Sequence, residues 1–250
     1  MNDNQSNNNL VTEKQEEVVS TSTVNNSNGK QVTKTKKRKL PMIIAITVGV
    51  LLGVFWVIWP MIKGPTIETK KPIIYIYPKD DINVSIKVNH PEKFSVTYPK
   101  YNDGWNVFAK TDGTLIDENG KKYYSLYWES HNLGKNKVKE DGYVVKGEDV
   151  SEFLEEKLTV LGLNYKEREE FIIYWLPQLE KNKYNYIRFQ TMDEINNNMK
   201  LDINPKPDTL IRVIMEVKPL SKKINVNEQK LNSVQREGYT VVEWGGTRIN

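Results

Sequence analysis

The hydrophobic pattern of the chain changes sharply at residue 40. Residues 1–39 are rich in Asn, Ser, Thr and Gln and show no sustained apolar period, which is typical of a disordered tail. Residues 40–62 carry no charged side chain, so a helix over them has no polar face. A helix of this length crosses a hydrocarbon core of about 30 Å. The pattern therefore predicts a transmembrane helix at 40–62.

The charges beside this span predict its orientation. Residues 34–39 form a basic run before the span, whereas only Lys63, Lys70 and Lys71 follow it closely. Because Lys and Arg favour the cytoplasmic side, the tail is expected in the cytoplasm and the rest of the chain outside the plasma membrane. A cleaved signal peptide is the alternative, but its apolar region is shorter and no small-residue cleavage site follows Ile62. We predict an uncleaved, single-pass signal anchor.

The predicted span also carries small residues at a spacing of four, namely Ala45, Gly49 and Gly53. Such a stripe lets two helices approach closely and supports a weak homodimer. The alternative is a single span in which these residues are incidental.

Beyond a short polar stalk at 63–71, the pattern becomes that of β-structure. The first predicted strand is an apolar, β-branched and aromatic run bounded by prolines. In the next two, apolar and polar residues alternate with a period of two, as expected for strands with one buried face. The predicted strands are PIIYIYP at 72–78, INVSIKV at 82–88, FSVTY at 94–98, WNVFAK at 105–110, TLID at 114–117 and KKYYSLYWE at 121–129. Turns that contain glycine, at 102–104, 111–113 and 118–120, precede the last three of them, and this spacing favours an antiparallel meander.

The period changes to that of helices after the meander. Asp149 followed by Glu152, and Asn164 followed by Glu167, match the capping box that begins a helix. Apolar residues at helical spacing follow each pair, so the sequence predicts a helical hairpin. Pro177 is expected to kink or end the second helix.

Strand patterns return at 184–190, 210–217 and 239–244, with a further short helix at 191–199. The order of meander, hairpin and strands predicts an α+β fold, in which the helices pack against one side of a β-rich sandwich or half-barrel. This exported domain is predicted to extend over 72–250.

Several of these segments together resemble a family of uncharacterised bacterial proteins that are exported or tethered to a membrane. The segments are KKPIIYIYP, TYPKYNDGWNVFAKTDGTLID with YYSLYWE, FLEEKLTVLGLNYKEREEFIIYWLP, NPKPDTLIRVIMEVKPL and REGYTVVEWGG. The resemblance covers about residues 70–246 and implies one domain over this length. It implies no activity, cofactor or catalytic residue.

Charge and composition exclude several classes of function. Residues 64–250 hold 28 basic and 28 acidic side chains, so the formal net charge of +4 belongs to the tail and its boundary. A neutral domain lacks the positive surface that phosphate binding requires, and we expect no nucleic-acid partner. The chain has no cysteine, which excludes disulfides, thiolate chemistry and sulfur-ligated metals.

Catalytic and cofactor motifs are also lacking. The two histidines, His90 and His131, are isolated and match neither a Ser-His-Asp site nor a zinc site. No P-loop or dinucleotide fingerprint occurs. Asp112 and Asp117 lie in predicted turns, but the spacing of a calcium-binding loop is absent. We expect no cofactor and no metal site.

Two carboxylates on tyrosine-bearing strands are the remaining candidates for chemistry. Alternation places Tyr127 and Glu129 on one face of their strand and Trp128 on the other. In the last strand, Glu243 precedes Trp244. A glycan hydrolase could use Glu129 and Glu243 as acid and base, with aromatic rings lining the cleft.

Two arginines favour a structural role for the same carboxylates. Arg188 and Arg212 alternate with apolar or aromatic residues, so each is expected on a partly buried face where it requires an anion. Glu129 and Glu243 are the natural partners. An internal ion-pair network therefore competes with a ligand-binding role for these side chains.

The sequence favours the interpretation that the chain is a non-catalytic binding module at the bacterial cell envelope over the interpretation that it is an enzyme. Its expected partners are the lipid bilayer and an envelope glycan or another protein. A glycan hydrolase acting through Glu129 and Glu243 is the first alternative. A sensor or assembly subunit is the second.

Overall fold

The structure, a computed structural model, describes residues 54–55, 69–131 and 137–249. The predicted tail, the small-residue stripe and most of the predicted span and stalk lie outside these ranges. Val54 and Phe55 are helical and exposed. Among the described residues, none of the helices has the length and apolar character that crossing a bilayer requires.

The strands and the three helices given below belong to one unit, Lys63–Asn250, which is a β-rich α+β domain. The strands are β1 (Thr69–Tyr77), β2 (Ile82–Val88), β3 (Phe94–Tyr98), β4 (Trp105–Ala109), β5 (Leu115–Ile116), β6 (Lys122–Tyr123), β7 (Leu126–Ser130), β8 (Asp141–Lys146), β9 (Tyr184–Phe189), β10 (Leu201–Asn204), β11 (Thr209–Leu220), β12 (Asn227–Glu228) and β13 (Thr240–Arg248). The helices are α1 (Val150–Val160), α2 (Tyr165–Leu179) and α3 (Met192–Asn198), and short 3-10 turns occur at Pro91–Lys93 and Gly147–Asp149.

The strands of the described residues form two sheets. The large sheet has the order β12-β8-β9-β11-β13-β1-β7-β3, and the small sheet has the order β10-β2-β4-β5-β6. Most neighbours are antiparallel, but β11 runs parallel to β13 and β12 runs parallel to β8. The large sheet is therefore mixed. The strands of the predicted meander, β1–β7, are antiparallel to one another, but they are divided between the two sheets. One of the two central strands of the large sheet is β13, Thr240–Arg248.

The large sheet separates two hydrophobic cores. On its helix side, α1 and α2 pack on a core that includes Leu154, Phe171, Trp175, Met215 and Trp244. On its small-sheet side lies a second core that includes Ile74, Leu126, Trp128, Ile86, Val107 and Ile203. The domain thus has three layers, and burial of apolar surface on both faces of the large sheet is its main source of stability.

The first strand begins earlier than predicted. β1 starts at Thr69, so the end of the predicted stalk belongs to the large sheet. Its pairing with β13 shifts register between Lys70 and Ile73, and Lys71 has a φ of 59°. This irregularity has the features of a β-bulge, which bends the strand where the chain enters the sheet.

The starts of α1 and α2 differ. The Asn164 side chain accepts the Glu167 N–H at 3.0 Å, and the Glu167 carboxylate accepts the Asn164 N–H at 2.8 Å, which confirms this capping box. The predicted box at Asp149 is wrong. Its backbone is helical, with φ −94° and ψ −4°, so its side chain makes no capping hydrogen bond, whereas a capping residue normally has extended backbone. Pro177 lies inside α2, which continues to Leu179.

Three strands were not predicted from the sequence, namely β8, β10 and the two-residue β12. β8 follows residues that are outside the described ranges, and β10 is a four-residue strand in a polar, Asn-rich stretch. The short helix predicted at 191–199 is confirmed as α3. Two of the unpredicted strands bear on the surface of the domain, because β10 positions part of a surface groove and most of β8 forms a sheet edge.

Candidate functional site

The two carboxylates considered for catalysis lie on opposite faces of the large sheet. Glu243 pairs in register with Ile74, on the small-sheet side. Tyr127 pairs with Ile73, on the helix side. Glu129 follows Tyr127 by two residues and therefore shares its face. Because a sheet separates them, Glu129 and Glu243 do not flank a common site as an acid and a base must.

Glu243 is part of a closed, fully bonded cluster. Its Oε2 lies 2.6 Å from Arg212 Nε, and its Oε1 accepts the Trp128 indole N–H at 2.9 Å. The Arg212 guanidinium also donates to Asn196 Oδ1 at 2.9 Å and to the Met199 carbonyl at 2.8 Å. The predicted pairing of Glu243 with an arginine is confirmed. Since every charge is compensated inside the core, this cluster is structural.

Arg188 has different partners from those expected. Its Nε donates to Asp141 at 2.9 Å, and its Nη1 donates to Glu194 at 2.9 Å and to Glu216 at 3.4 Å. Burial lowers the pKa of Arg188, but the hydrogen bonds to Glu194 and Asp141 outweigh burial and raise it. Glu129 is not among these partners, because three strands of the large sheet lie between β9 and β7.

Glu129 instead lies near the start of β1. Its Oε1 accepts the Lys71 N–H at 3.4 Å, and its Oε2 lies 3.6 Å from Lys70 Nζ. The Lys71 ammonium lies over the rings of Tyr127 and Tyr174, at 5.9 and 5.6 Å from their centroids. Burial, and then a hydrogen bond to Glu129, raise the pKa of Tyr127. This cluster anchors the bulged first strand to its neighbours.

Burial removes the other sequence candidates from contact with a ligand. The buried candidates are Trp128, Arg188, Arg212, Glu243 and Trp244. Only Tyr127 and Glu129 reach the surface, and both contact the residues that fix β1. A ligand site therefore has to be sought elsewhere in the domain.

The outer face of the small sheet, which points away from the large sheet, is a surface that a ligand can reach. Alternation buries Val84 and Val107 against the large sheet and turns their polar neighbours to solvent. Asn204, Ser85 and Asn106 pair in register across β10, β2 and β4. Three short polar side chains thus form a straight row that spans about 10 Å, at about 4.8 Å between strands.

The neighbouring row adds apolar surface. Asn83, Phe108 and Ile116 pair in register across β2, β4 and β5. With the first row they line a groove of about 330 Å³, which we name the amide groove. Phe108 is 37% exposed, so it presents an aromatic ring beside the amides.

The polar groups of the amide groove are available to a ligand. Within the described part of the chain, the side chains of Asn83, Ser85, Asn106 and Asn204 form no hydrogen bond to protein. Each amide offers two donors and an acceptor, and the serine hydroxyl offers a donor and acceptors. The floor of the groove can therefore both donate to and accept from one ligand.

The acidic rim of the groove is partly committed to a turn. Asp117 accepts the N–H groups of Asn119 and Lys121, each at 2.9 Å, and the Tyr123 hydroxyl at 3.0 Å. The Lys121 N–H is the main cause of its lowered pKa, and the Tyr123 hydroxyl adds to it. Glu118 is the other acidic residue of the rim. The two rows themselves carry no charge.

The described ranges offer no cluster of three His, Asp or Glu side chains that could hold a metal ion. Asp112, one of the turn residues considered for calcium, accepts the Thr114 N–H at 2.8 Å. Turn formation accounts for this contact. The expectation of no metal and no cofactor stays a prediction.

Sequence reasoning missed the amide groove. Within INVSIKV, the period of two already places Asn83 and Ser85 on one face. Their alignment with Asn106 and Asn204 depends on strand pairing between distant segments, and a single exposed asparagine does not distinguish a binding residue from an ordinary surface residue.

Comparison of this chain with protein-family models, curated proteins and solved structures gives no match. The resemblance to bacterial exported or membrane-tethered proteins therefore stays a prediction from sequence motifs.

Proposed function

We propose that this chain is a membrane-anchored extracytoplasmic module that binds an uncharged glycan of the cell envelope in the amide groove. One observation carries the proposal. Asn204, Ser85 and Asn106 form a row of uncharged side chains that are free to hydrogen bond, and Asn83 lies in the adjacent row beside the exposed ring of Phe108.

The chemistry of the groove matches that of a sugar. Each sugar hydroxyl donates and accepts hydrogen bonds, as do the amide and hydroxyl side chains of the two rows. The C–H face of a pyranose ring is apolar and suits the face of Phe108. A site with a few placed polar groups beside an aromatic surface is the usual form of a small-ligand site.

A protein partner fits the groove less well. The residues that dominate protein interfaces are buried Trp, Tyr and Arg side chains at an apolar centre. The groove has only Phe108 and the half-buried Ile116 as apolar contacts. Its rows also lack the basic side chains that anionic polymers require.

The groove also supports binding over hydrolysis. Its carboxylates, Asp117 and Glu118, lie at the rim, and Asp117 is occupied by the hydrogen bonds of the β5–β6 turn. A glycosidase needs two carboxylates on either side of the scissile bond. The opposite-face placement of Glu129 and Glu243 removes the pair that the sequence suggested.

Membrane attachment through 40–62 belongs to the same proposal, since envelope glycans lie outside the plasma membrane. Protease added to intact cells should remove the domain Lys63–Asn250 and leave the N-terminal tail protected. Antibodies to each end would follow the two parts. Protection of the domain instead would contradict an extracytoplasmic location.

Glycan binding is tested with the full-length chain in a detergent that has no sugar headgroup. We expect co-sedimentation with a purified, insoluble neutral envelope polysaccharide, and weaker retention by a polyuronate. Asn106→Ala and Asn204→Ala should each lower the affinity by about two- to tenfold, the effect of one lost hydrogen bond. Thermal unfolding should be unchanged, because both side chains face solvent.

Asn227→Ala in β12 is the matched control, since this exposed asparagine lies outside the groove. It should bind like the wild type. Absence of binding to every glycan, or equal binding by all three variants, would contradict the proposal.

A further inference from the structure

The outer edge of β8 is only partly paired. β12 runs beside it for two residues, where Asn227 faces Asp141 and Glu228 faces Gly142. Beyond Gly142, no strand of the described chain continues along this edge. The rest of β8 is therefore an edge strand, whose outward backbone groups are available for pairing.

Backbone direction shows which groups these are. The Gly142 carbonyl points to the β12 side, where it accepts the Gln229 N–H at 3.3 Å. Backbone groups of successive residues alternate between the two edges of a strand. Val144 therefore directs its N–H and C=O, and Lys146 its N–H, to the same side, away from β9. The Lys146 carbonyl begins the 3-10 turn Gly147–Asp149.

The pairing of β9 gives the same result. Gln190, directly after β9, donates its N–H to the Ile214 carbonyl of β11 at 2.9 Å. Alternation then turns Ile187 toward β8, where it pairs with Tyr143. The backbone N–H and C=O of Val144, the next residue of β8, therefore point away from β9.

Next to the open part of β8, this side of the large sheet is covered by a side chain. The side chain of Gln229 imitates a strand: its amide nitrogen donates to the Phe189 carbonyl at 2.6 Å, and its amide oxygen accepts the Phe189 N–H at 2.9 Å. Thus Phe189 and Gly142 have partners at this side of the large sheet. The outward groups of Val144 and Lys146 face a cavity.

That cavity is a cleft of about 730 Å³ between β8, α1 and residues 223–228, which we name the β8 cleft. Tyr143 and Phe153 line it with their rings in an edge-to-face arrangement, 5.0 Å between centroids. The cleft therefore places a free strand edge next to an aromatic wall. An extended peptide fits this combination, because its backbone pairs with the strand while alternate side chains reach the wall.

The charge of the β8 cleft selects the peptide. Its acidic lining residues are Asp149, Glu152, Glu156 and Glu228, and its basic ones are Lys146, Lys157 and Lys223. Lys157 pairs with Glu156 at 2.9 Å, and Lys146 pairs with Glu148, outside the lining, at 2.8 Å. With Glu148 included, five carboxylates face three ammonium groups here, so the cleft attracts positive charge.

We propose that the β8 cleft binds an extended basic peptide segment of a partner protein, which adds a strand to the outer edge of β8. This site is separate from the amide groove and does not depend on glycan binding. The peptide backbone pairs with Val144 and Lys146, and its basic side chains meet the carboxylates of the α1 side.

Synthetic peptides added to the full-length chain test the backbone pairing. The probe is a peptide of about six residues in which lysine and valine alternate, the length that a short strand edge can pair. Two further versions carry methyl groups on the backbone nitrogens of either the lysines or the valines. Calorimetry should show that one methylated version loses about tenfold or more in affinity, while the other binds like the parent peptide.

Variants test the site. Val144→Pro removes an outward N–H, which an edge strand tolerates, and should weaken the parent peptide by about tenfold at an unchanged melting temperature. Glu152→Gln and Glu228→Gln should weaken it and reduce its salt dependence. Glu118→Gln, at the rim of the amide groove, is the charge-matched control and should have no effect.

Three results would overturn the proposal: no binding of the parent peptide, equal binding of the two methylated versions, or full binding by a folded Val144→Pro variant. If Val144→Pro fails to fold, the two methylated peptides decide, since they act on the unaltered protein. A peptide of alternating glutamate and valine should not bind, and binding as tight as that of the lysine peptide would also overturn the charge assignment.

Discussion

Arg212 and Glu243 face each other across the parallel strands β11 and β13, with Nε and Oε2 2.6 Å apart and neither side chain exposed. The pair lies at the centre of the large sheet, beneath α3 and the small sheet. Removal of one partner from such a pair leaves a buried charge without compensation, which costs far more than the loss of a surface ion pair.

Glu243→Gln should therefore lower the free energy of unfolding by about 3 kcal/mol. For a domain of this size, we expect the melting temperature to fall by roughly 6 to 12 °C. Thermal unfolding followed by circular dichroism measures the change. Glu129→Gln is the control, because the Glu129 carboxylate is partly exposed and pairs with Lys70 at 3.6 Å. A Glu243→Gln domain that melts like the wild type would show that the pair is not structural.

Part of the acid sensitivity should come from Glu194. Burial raises the pKa of this carboxyl, but hydrogen bonds from Arg188, Lys139 and the Thr191 N–H outweigh burial and lower it to about 2. The folded state thus stabilises the carboxylate, and this contribution is complete above about pH 5 and is lost as the pH falls toward 2. Denaturant unfolding between these pH values should show a shallower loss of stability for Glu194→Gln than for the wild type.

Glu216 provides a control, because its pKa is shifted in the direction opposite to that of Glu194. Burial raises the pKa of Glu216, so the folded state favours its protonated form and loses stability as the pH rises above the ordinary carboxyl pKa of about 4.3. Glu216→Gln should consequently make stability rise more steeply with pH than in the wild type. If Glu194→Gln and Glu216→Gln changed the slope in the same direction, this assignment of the two carboxylates would be wrong.

The two helix starts allow a paired test of capping. Asn164→Ala removes a side chain that accepts the Glu167 N–H and should lower the free energy of unfolding by about 1 kcal/mol. Asp149→Ala removes a side chain with no capping hydrogen bond, so its effect should be less than half as large. Urea unfolding of the two variants gives the comparison, and equal losses would contradict it.

Strand alternation and helical periodicity predicted much of the local structure, including the capping box at Asn164 and the inward placement of Glu243. They failed where the outcome depends on which distant strands become neighbours. Glu129 and Arg188 both lie on partly buried faces, as expected, yet strand order keeps them apart. Asn204 joined the amide groove for the same reason, since its row exists only after β10 pairs with β2. A local pattern shows which face a residue occupies and not which residue lies beside it.

Substitution of Phe108 tests whether an aromatic ring contributes to glycan binding. Phe108→Ala should weaken binding to the glycan identified above by roughly five- to thirtyfold, because a stacked ring contributes on the order of 1 to 2 kcal/mol. Tyr165→Ala, which removes an exposed ring from α2, should leave binding unchanged.

Binding through uncharged rows should also be nearly independent of salt between about 50 and 500 mM, because screening acts on charges. Affinity measured across this range tests that expectation. A steep decrease with salt would assign the contact to charged residues and not to the amide groove.

The position of β13 between β1 and β11 has a consequence for how the domain folds. Until residues 240–248 take their place, the large sheet consists of two separate halves, each with an uncovered inner edge. Closing the sheet joins β1 to a strand from the far end of the domain, a contact of long sequence separation that slows folding. During that interval both inner edges can pair with other chains. The rate at which this last strand docks should therefore set the competition between native folding and aggregation.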